Sequence, residues 1–250
     1  MKSKSTKKRL DVLLVERGLA ESRQKAQAMI LAGQVLVKGQ KLTKAGSAVP
    51  ADAPIEILGE AMPYVSRGGL KLEGALADCG IEVAGKVCLD VGSSTGGFTD
   101  CLLQRGAKRV FAVDVNVAQM AWRLQQDARV IRVERNARYL KPADISEAVE
   151  LATLDLSFIS VRKVLPAVVP LVRPGGDLLI LVKPQFELQP QDVGKGGIVR
   201  DARLHRRAID QVRAAAQESG LQVLMSAPSR VPGAEGNMEF FLHAKRGALG

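Results

Sequence analysis

The stretch Lys86-Val-Cys-Leu-Asp90-Val-Gly92-Ser-Ser-Thr-Gly96-Gly97-Phe98 constrains the fold more than any other part of the chain. An apolar run ends on an acid, a glycine-rich turn follows, and a helical pattern resumes at once, which reads as a strand, a tight loop and a helix start. Eighteen residues past Gly96, a second apolar run, Val110-Phe-Ala-Val-Asp114, also stops on an acid. A carboxylate at the carboxyl end of the neighbouring strand, beside a glycine turn, describes the ligand crevice of an open α/β sheet. The glycines alone would fit an ordinary βα turn, and Asp114 is what favours a nucleotide-like ligand.

The loop also separates two cofactor classes. In a dinucleotide site the middle glycine of G-x-G-x-x-G lets the backbone approach a pyrophosphate at the helix amino end. Here that place, two residues after Gly92, is Ser94. A side chain there crowds a pyrophosphate, whereas S-adenosylmethionine carries none. S-adenosylmethionine is therefore the expected cofactor, with Asp114 accepting from its ribose hydroxyls and no metal ion required.

Apolar runs at 87-91, 110-114, 129-133, 151-155, 178-183, 221-226 and 238-244 alternate with helix-length segments. The pattern predicts a seven-stranded, mostly parallel sheet with helices on both faces, the last strand running antiparallel because no helix is evident between Pro228 and Asn237. Around Ala61-Met62-Pro63 the pattern breaks, and Pro63 with Gly68-Gly69 predicts a linker. The expected domains are 1-62 and 63-250.

Residues 10–58 read as a small α+β unit. Leu10, Leu13 and Leu14 share one helical face that Gly18 can close. Ser22 caps a second helix, with Ala26, Met29 and Ile30 inward, that Gly33 ends. Val35 and Val37, then Ile55 and Ile57, alternate as short strands around Lys38-Gly39. Residues 1–48 hold eleven Lys or Arg against three Asp or Glu, most of the net charge of +10. Such a surplus calls for an anionic partner, nucleic acid or an anionic membrane surface. Arg23 and Lys25 beside the Ser22 cap would face a phosphate backbone.

No apolar stretch reaches the length of a membrane span, and the basic start lacks a signal-peptide core. Three cysteines without ligand spacing, Cys79, Cys88 and Cys101, fit packing residues in a reducing cytoplasm. His205 and His243 have no ligand partner at metal spacing. No protein partner is indicated.

Lys71 falls on the helix that opens the second part, Asp155 and Lys183 end apolar runs, and Glu239 begins the last one. A lysine straight after buried aliphatic residues is costly unless paired or useful. A structural ion-pair network would also suit any one of the four. The loop from Gly194 to Arg200, with Lys195, suits either a lid or a plain surface loop, and Arg203, Arg206 and Arg207 form the wet face of the helix after it.

Through Arg9-Leu-Asp-x-x-Leu, Gly18-Leu, Ser22-Arg23-x-x-Ala26 and Gly33-x-Val35-x-Val37-x-Gly39, the amino-terminal part resembles the RNA-binding domain named after small-subunit ribosomal protein four. That resemblance implies RNA contacts from Arg9, Arg23, Lys25 and Lys38, the last standing where the family often has asparagine. The remainder carries Ser66-Arg67-Gly68-Gly69-Leu-Lys71, Asp90-Val-Gly-Ser-Ser-Thr-Gly-Gly-Phe-Thr99, Leu154-Asp155-Leu-Ser-Phe158-Ile-Ser160, Val182-Lys183-Pro-Gln-Phe-Glu187, Gly194-Lys-Gly-Gly-Ile-Val-Arg200-Asp and Gly236-Asn-x-Glu239-Phe-Phe. It resembles the FtsJ-like ribose 2′-O-methyltransferases with their Lys-Asp-Lys-Glu tetrad. Over nearly its whole length the chain resembles the TlyA family of rRNA methyltransferases, often labelled haemolysin A.

The resemblance implies a Rossmann-like fold, methylation of a ribose 2′-hydroxyl, of cytidine, in rRNA within ribosomal subunits, and candidate catalytic Lys71, Asp155, Lys183 and Glu239. Cofactor contacts are implied near Asp90, Gly92, Ser94, Gly96, Gly97 and Asp114. Some members carry Arg-x-Trp-Val where this chain reads Met62-Pro63-Tyr64-Val65. Lys183 is expected to act as base if held neutral at transfer; Lys71 opposes a second positive charge there, whereas Asp155 and Glu239 favour one. The competing functions are a non-catalytic RNA-binding assembly factor and a membrane-active haemolysin.

Overall fold

The computed structural model describes residues 6–58, 62–233 and 236–247. Two compact units divide the chain, Met1–Pro63 and Tyr64–Gly250. Ala61, part of the expected linker, and the basic residues 1–5 lie outside the described residues.

In the first unit β1 (Lys7–Arg9) leads into α1 (Leu10–Glu16), and α2 (Arg23–Leu31) follows. Then come β2 (Val35–Val37), β3 (Gln40–Lys41), β4 (Ala48–Pro50) and β5 (Ile55–Ile57). The Ser22 side chain accepts from the Lys25 amide at 3.2 Å and caps α2. Past each helix a glycine, Gly18 or Gly33, takes a left-handed turn with φ +68°, which side chains with a Cβ rarely adopt. Strands β3, β2 and β5 form one antiparallel sheet, and β1 pairs with β4. Lys38 (φ +53°) and Gly39 (φ +75°) make the two-residue turn between β2 and β3, a conformation that suits asparagine better than lysine. Leu10, Leu14, Ala26, Ile30 and Val35 are fully buried in this unit's core.

The second unit opens with α3 (Arg67–Cys79) and continues through β6 (Val87–Val91), α4 (Gly97–Gln104), β7 (Arg109–Asp114), α5 (Trp122–Gln125), β8 (Val130–Glu134) and β9 (Val149–Leu154). It ends with α6 (Leu165–Val168), β10 (Val172–Val182), α7 (Pro184–Glu187), α8 (Ala202–Glu218), β11 (Leu221–Pro228) and β12 (Phe240–Arg246). The seven strands from β6 onward form one sheet ordered β11-β12-β10-β9-β6-β7-β8. It is parallel except for β12, which runs antiparallel to both β10 and β11. Every residue of β6 is buried, as expected of a strand covered on both faces. Val87, Leu89 and Val91 face one core, while Cys88 joins Leu72, Phe98 and Cys101 in the other.

Gly68 and Gly69 are helical, in the first turn of α3, rather than in a linker. They serve close approach. A Cβ on Gly69 would overlap the buried Tyr64 ring, and one on Gly68 would meet the Phe98 ring at 3.5 Å. The Val65 amide donates to Asp100 Oδ2 at 2.8 Å, which ties the chain just before α3 to the start of α4.

Candidate active site

The carboxyl ends of β6 and β9 meet where Gly92 turns with φ +87°. A Cβ there would overlap the Asp155 carbonyl oxygen, so the turn requires glycine. Gly96 (φ +96°) then caps α4, and Gly97 packs so closely on Ser66 that no larger residue fits. These walls enclose a cleft of about 240 Å³, lined by Gly92, Ser93, Ser94, Gly97, Lys71 and Asp155 among others.

The loop's backbone donors are largely used by the chain itself. Gly92 and Ser93 amides donate to the Val113 carbonyl at 2.9 and 3.0 Å, Gly96 to Ser93 at 2.7 Å, and Ser94 to Asp114 Oδ2 at 2.8 Å. A pyrophosphate needs such donors free. Ser93 Oγ and Asp155 Oδ1 line the same cleft buried and without an aligned hydrogen-bond partner. The unpartnered Ser93 Oγ is a polar atom that a ligand in this cleft can engage.

Asp114 also accepts from the Asn116 amide at 3.0 Å and from Gln119 at 3.3 Å, so it fastens the glycine loop to the end of β7. Asp90 stands where it cannot line the cleft. Its side chain is fully buried and accepts from Thr99 Oγ1 at 2.7 Å and Thr153 Oγ1 at 3.3 Å. Burial raises its pKa to about 7, the neighbouring Asp155 charge acting the same way and the threonine hydroxyls opposing it. The contact expected from Asp90 is thus an indirect one, through the β6–α4–β9 junction that shapes the loop.

Four charged side chains from four elements gather here in two ion pairs. Lys183 Nζ lies 2.5 Å from Asp155 Oδ1, off the direction of an aligned hydrogen bond, and donates to Ser157 Oγ at 3.1 Å. Lys71 donates to Glu239 Oε2 at 2.6 Å. Lys183 and Glu239 are buried, and Gly233 packs directly over the Glu239 carboxylate. The register accounts for the gathering. Val182 faces Phe240 across the antiparallel pair, which brings Lys183 and Glu239 to one edge of the sheet.

Three features escaped the sequence reading. Phe158 is 93% exposed and holds φ +64°, a left-handed conformation costing about 1–3 kcal/mol for a bulky residue. Its ring packs against Phe186 with centroids 5.3 Å apart. Ser157 is the exposed hydroxyl on Lys183. In the first unit the fully buried Asp11 accepts from both Arg9 nitrogens at 3.0 Å and from Arg23 and Gln27 at 2.9 Å. These bonds hold its carboxyl well below the usual carboxylate range, the Arg9 bond contributing most. Arg9 and Arg23 are thereby brought together with about half of each side chain exposed, and Lys25 and Lys38 are exposed on the same unit.

The remaining candidates for chemistry are structural. Burial pushes the Cys79 and Cys101 thiols up to about 11 and Cys88 to about 12, far from thiolate formation. Both histidines are buried, His205 against the Val199 carbonyl and His243 against Asp177, each at 2.8 Å. The 194–200 loop is pinned by Asn237, which accepts from the Val199 amide and donates to the Gly197 carbonyl. Among the described residues no helix is long and apolar enough to cross a membrane.

A seven-stranded sheet of this order, with a glycine loop and a cleft at the carboxyl ends of its strands, is an open α/β fold with its ligand crevice at that edge, and solved methyltransferases share it. A structure of an S-adenosylmethionine-dependent methyltransferase from Mesorhizobium loti shares the fold, with TM-score 0.54 at 16% identity over 70% of this chain and 98% of that one. The FtsJ-like methyltransferase family model matches residues 64–246, and the S4 domain model matches residues 8–55. The chain is 49% identical over 241 residues to YqxC of Bacillus subtilis, covering 96% of this chain and 86% of that protein. It is 46% identical over 236 residues to the 16S/23S rRNA (cytidine-2′-O)-methyltransferase TlyA of Mycobacterium tuberculosis, covering 94% and 88%. A solved structure from Streptococcus thermophilus, 40% identical, superposes with TM-score 0.76 over 97% of this chain and 90% of that one. The chain belongs to the TlyA family of FtsJ-like methyltransferases that carry an S4 domain.

Proposed function

We propose that this methyltransferase transfers a methyl group from S-adenosylmethionine to the 2′-hydroxyl of a cytidine ribose in rRNA, within ribosomal subunits in the cytoplasm. The observation that carries the proposal is the two ion pairs, Lys183 with Asp155 and Lys71 with Glu239, each with one buried partner, at a glycine-walled cleft. The M. tuberculosis relative is named for this reaction.

S-adenosylmethionine, when bound, supplies a methyl group already activated by its sulfonium. Gly92, Ser94, Gly96 and Gly97 would shape its cleft, the unpartnered Ser93 Oγ would offer it a polar contact, Asp114 would accept from its ribose hydroxyls, and Asp90 supports the loop from beneath. A ribose hydroxyl attacks poorly until its proton is removed. Lys183 takes that proton in its neutral form, its own proton having passed by way of the Asp155 carboxylate to solvent, while the Ser157 hydroxyl accepts a hydrogen bond from the amine and holds it in place. Asp155 and Glu239 orient the two amines, and Lys71 positions the hydroxyl. General-base catalysis contributes about 10²- to 10⁴-fold, roughly 3–5 kcal/mol, so alignment by RNA contacts supplies much of the rest. The exposed Phe158 ring offers the target base a stacking face.

The amino-terminal unit, residues 1-62, anchors the RNA. Arg9 and Arg23 share Asp11 and turn their remaining N–H groups to phosphates, with Lys25 and Lys38 adding charge.

Lys183→Ala tests the assignment. Methyl transfer from labelled cofactor should fall by at least about a hundredfold, with cofactor affinity little changed. Mass spectrometry placing the methyl on a base, or undiminished ribose methylation by the variant, would overturn it.

A further inference from the structure

The turn after Lys183 grips the loop after Asp155 at three successive points. Lys183 holds Asp155 and Ser157. Phe186, three residues on, packs against Phe158. Glu187, buried at 4% exposure, accepts from Ser160 Oγ at 2.5 Å, the Val161 amide at 2.8 Å and Arg162 Nε at 3.2 Å. The grip is closed by Arg162, which donates to the Glu187 carbonyl at 3.1 Å.

This arrangement needs a cause. Between Asp155 and Ser160 the chain carries a phenylalanine in the left-handed region with its ring in solvent, so local preference and burial both oppose the conformation. A strained segment persists only where its surroundings over-determine it. The bonds to Glu187 involve an ionised acceptor and are the strongest fixed points on that segment. Their withdrawal lets residues 157–160 relax, and Ser157 and Asp155 on Lys183 then lose their common frame.

We infer that Glu187 is a positioning residue for methyl transfer: by clamping Ser160–Arg162 it holds the Asp155–Phe158 segment in the geometry that Lys183 requires. The inference rests on the function proposed above, with Glu187 acting through Lys183 and Asp155 rather than touching substrate.

The test uses the full-length protein, ribosomal subunits from cells lacking this methylation, and labelled S-adenosylmethionine. Glu187→Gln keeps the side-chain volume but removes the charged acceptor, and Ser160→Ala removes one donor while leaving the Val161 bond. Glu187→Gln should lower the single-turnover rate by about tenfold to a hundredfold, the scale of a small misplacement at a reacting centre. Cofactor Kd should stay within about threefold, because Asp155 alone of the cleft lining belongs to the clamped segment and its backbone stays packed on Gly92, and amide hydrogen exchange should quicken over residues 156–163. Ser160→Ala should fall between wild type and Glu187→Gln in both rate and exchange. A wild-type rate in Glu187→Gln, unchanged exchange over that segment, or a rate loss matched by equal loss of cofactor affinity would overturn the inference. If the wild-type protein itself methylates no rRNA ribose, the proposed function fails, and the exchange measurement still decides whether Glu187 is the clamp.

Discussion

Replacing Asp90 with asparagine should make stability much less sensitive to pH. Burial raises this carboxyl from 3.8 to about 7 in the folded protein. Between those values the folded state binds a proton that the unfolded chain has released, so stability falls as pH rises. The contribution is fully present below about pH 4 and is lost as pH passes through about 7. At about 1.36 kcal/mol for each tenfold change in proton affinity, the whole effect is about 4 kcal/mol, and about 3 kcal/mol of it falls between about pH 5 and pH 8. Asparagine matches the shape, accepts from Thr99 and cannot ionise. All other titrating groups are common to both proteins, so the difference between the two stability curves isolates Asp90. Thermal and urea unfolding at several pH values should show the gap moving in asparagine's favour by about 3 kcal/mol, or about 6–12 °C in Tm for a unit of this size. Parallel curves across that range would refute the claim that burial keeps this proton bound.

Gly92→Ala should lose cofactor binding by calorimetry and cost at least about 2 kcal/mol in stability, since its Cβ has no room beside the Asp155 carbonyl and φ is +87°. Phe158→Gly should leave stability within about 1 kcal/mol, strain relief offsetting chain entropy and the lost ring contact, yet lower rRNA methylation about tenfold through loss of base stacking; equal methylation would remove the ring from the RNA site. Deleting residues 1-62 should weaken rRNA binding and flatten its salt dependence while cofactor affinity holds. Unchanged RNA affinity in that truncated protein would contradict the anchoring role.

The sheet was legible because its central strands, covered on both faces, read as apolar runs, and all seven strands overlap the expected runs with β12 antiparallel, β10 beginning earlier, at Val172. The strands β1 and β4 were not, since β1 is Lys-Lys-Arg and β4 ends on a proline, so neither shows the spaced pair of β-branched residues that marks β2 and β5. Gly68 and Gly69 misled because a glycine needed for contact and one needed for flexibility look alike in sequence. Asp11 looked like any acid in a first helical turn, its partners being set by how α1 and α2 pack. Phe158 betrayed nothing, because strain resides in a dihedral angle. Asp155, Lys183 and Glu239 were legible as charges at the ends of apolar runs, and Lys71, inside a helix, only through family resemblance. Which lysine pairs with which acid was not, because sheet register decides it.

That register explains how an acid from the start of a strand can join groups from strand ends. Parallel strands bring only their carboxyl ends to the ligand edge, as β9 does before Asp155 and β10 before Lys183. An antiparallel strand brings its amino end to the same edge, and β12, inserted between β10 and β11, delivers Glu239 there. Lys71 comes from α3, which packs against the sheet from one side, so the second ion pair ties that helix to the strand edge. Each cation thus meets its own carboxylate, and the four groups together carry no net charge. A like-charged cluster with so little access to water would be forced apart, whereas two neutral pairs can be buried side by side. Glu239→Gln, which leaves Lys71 without its carboxylate, should therefore disturb the site through charge even though Glu239 does not contact Lys183's own partner.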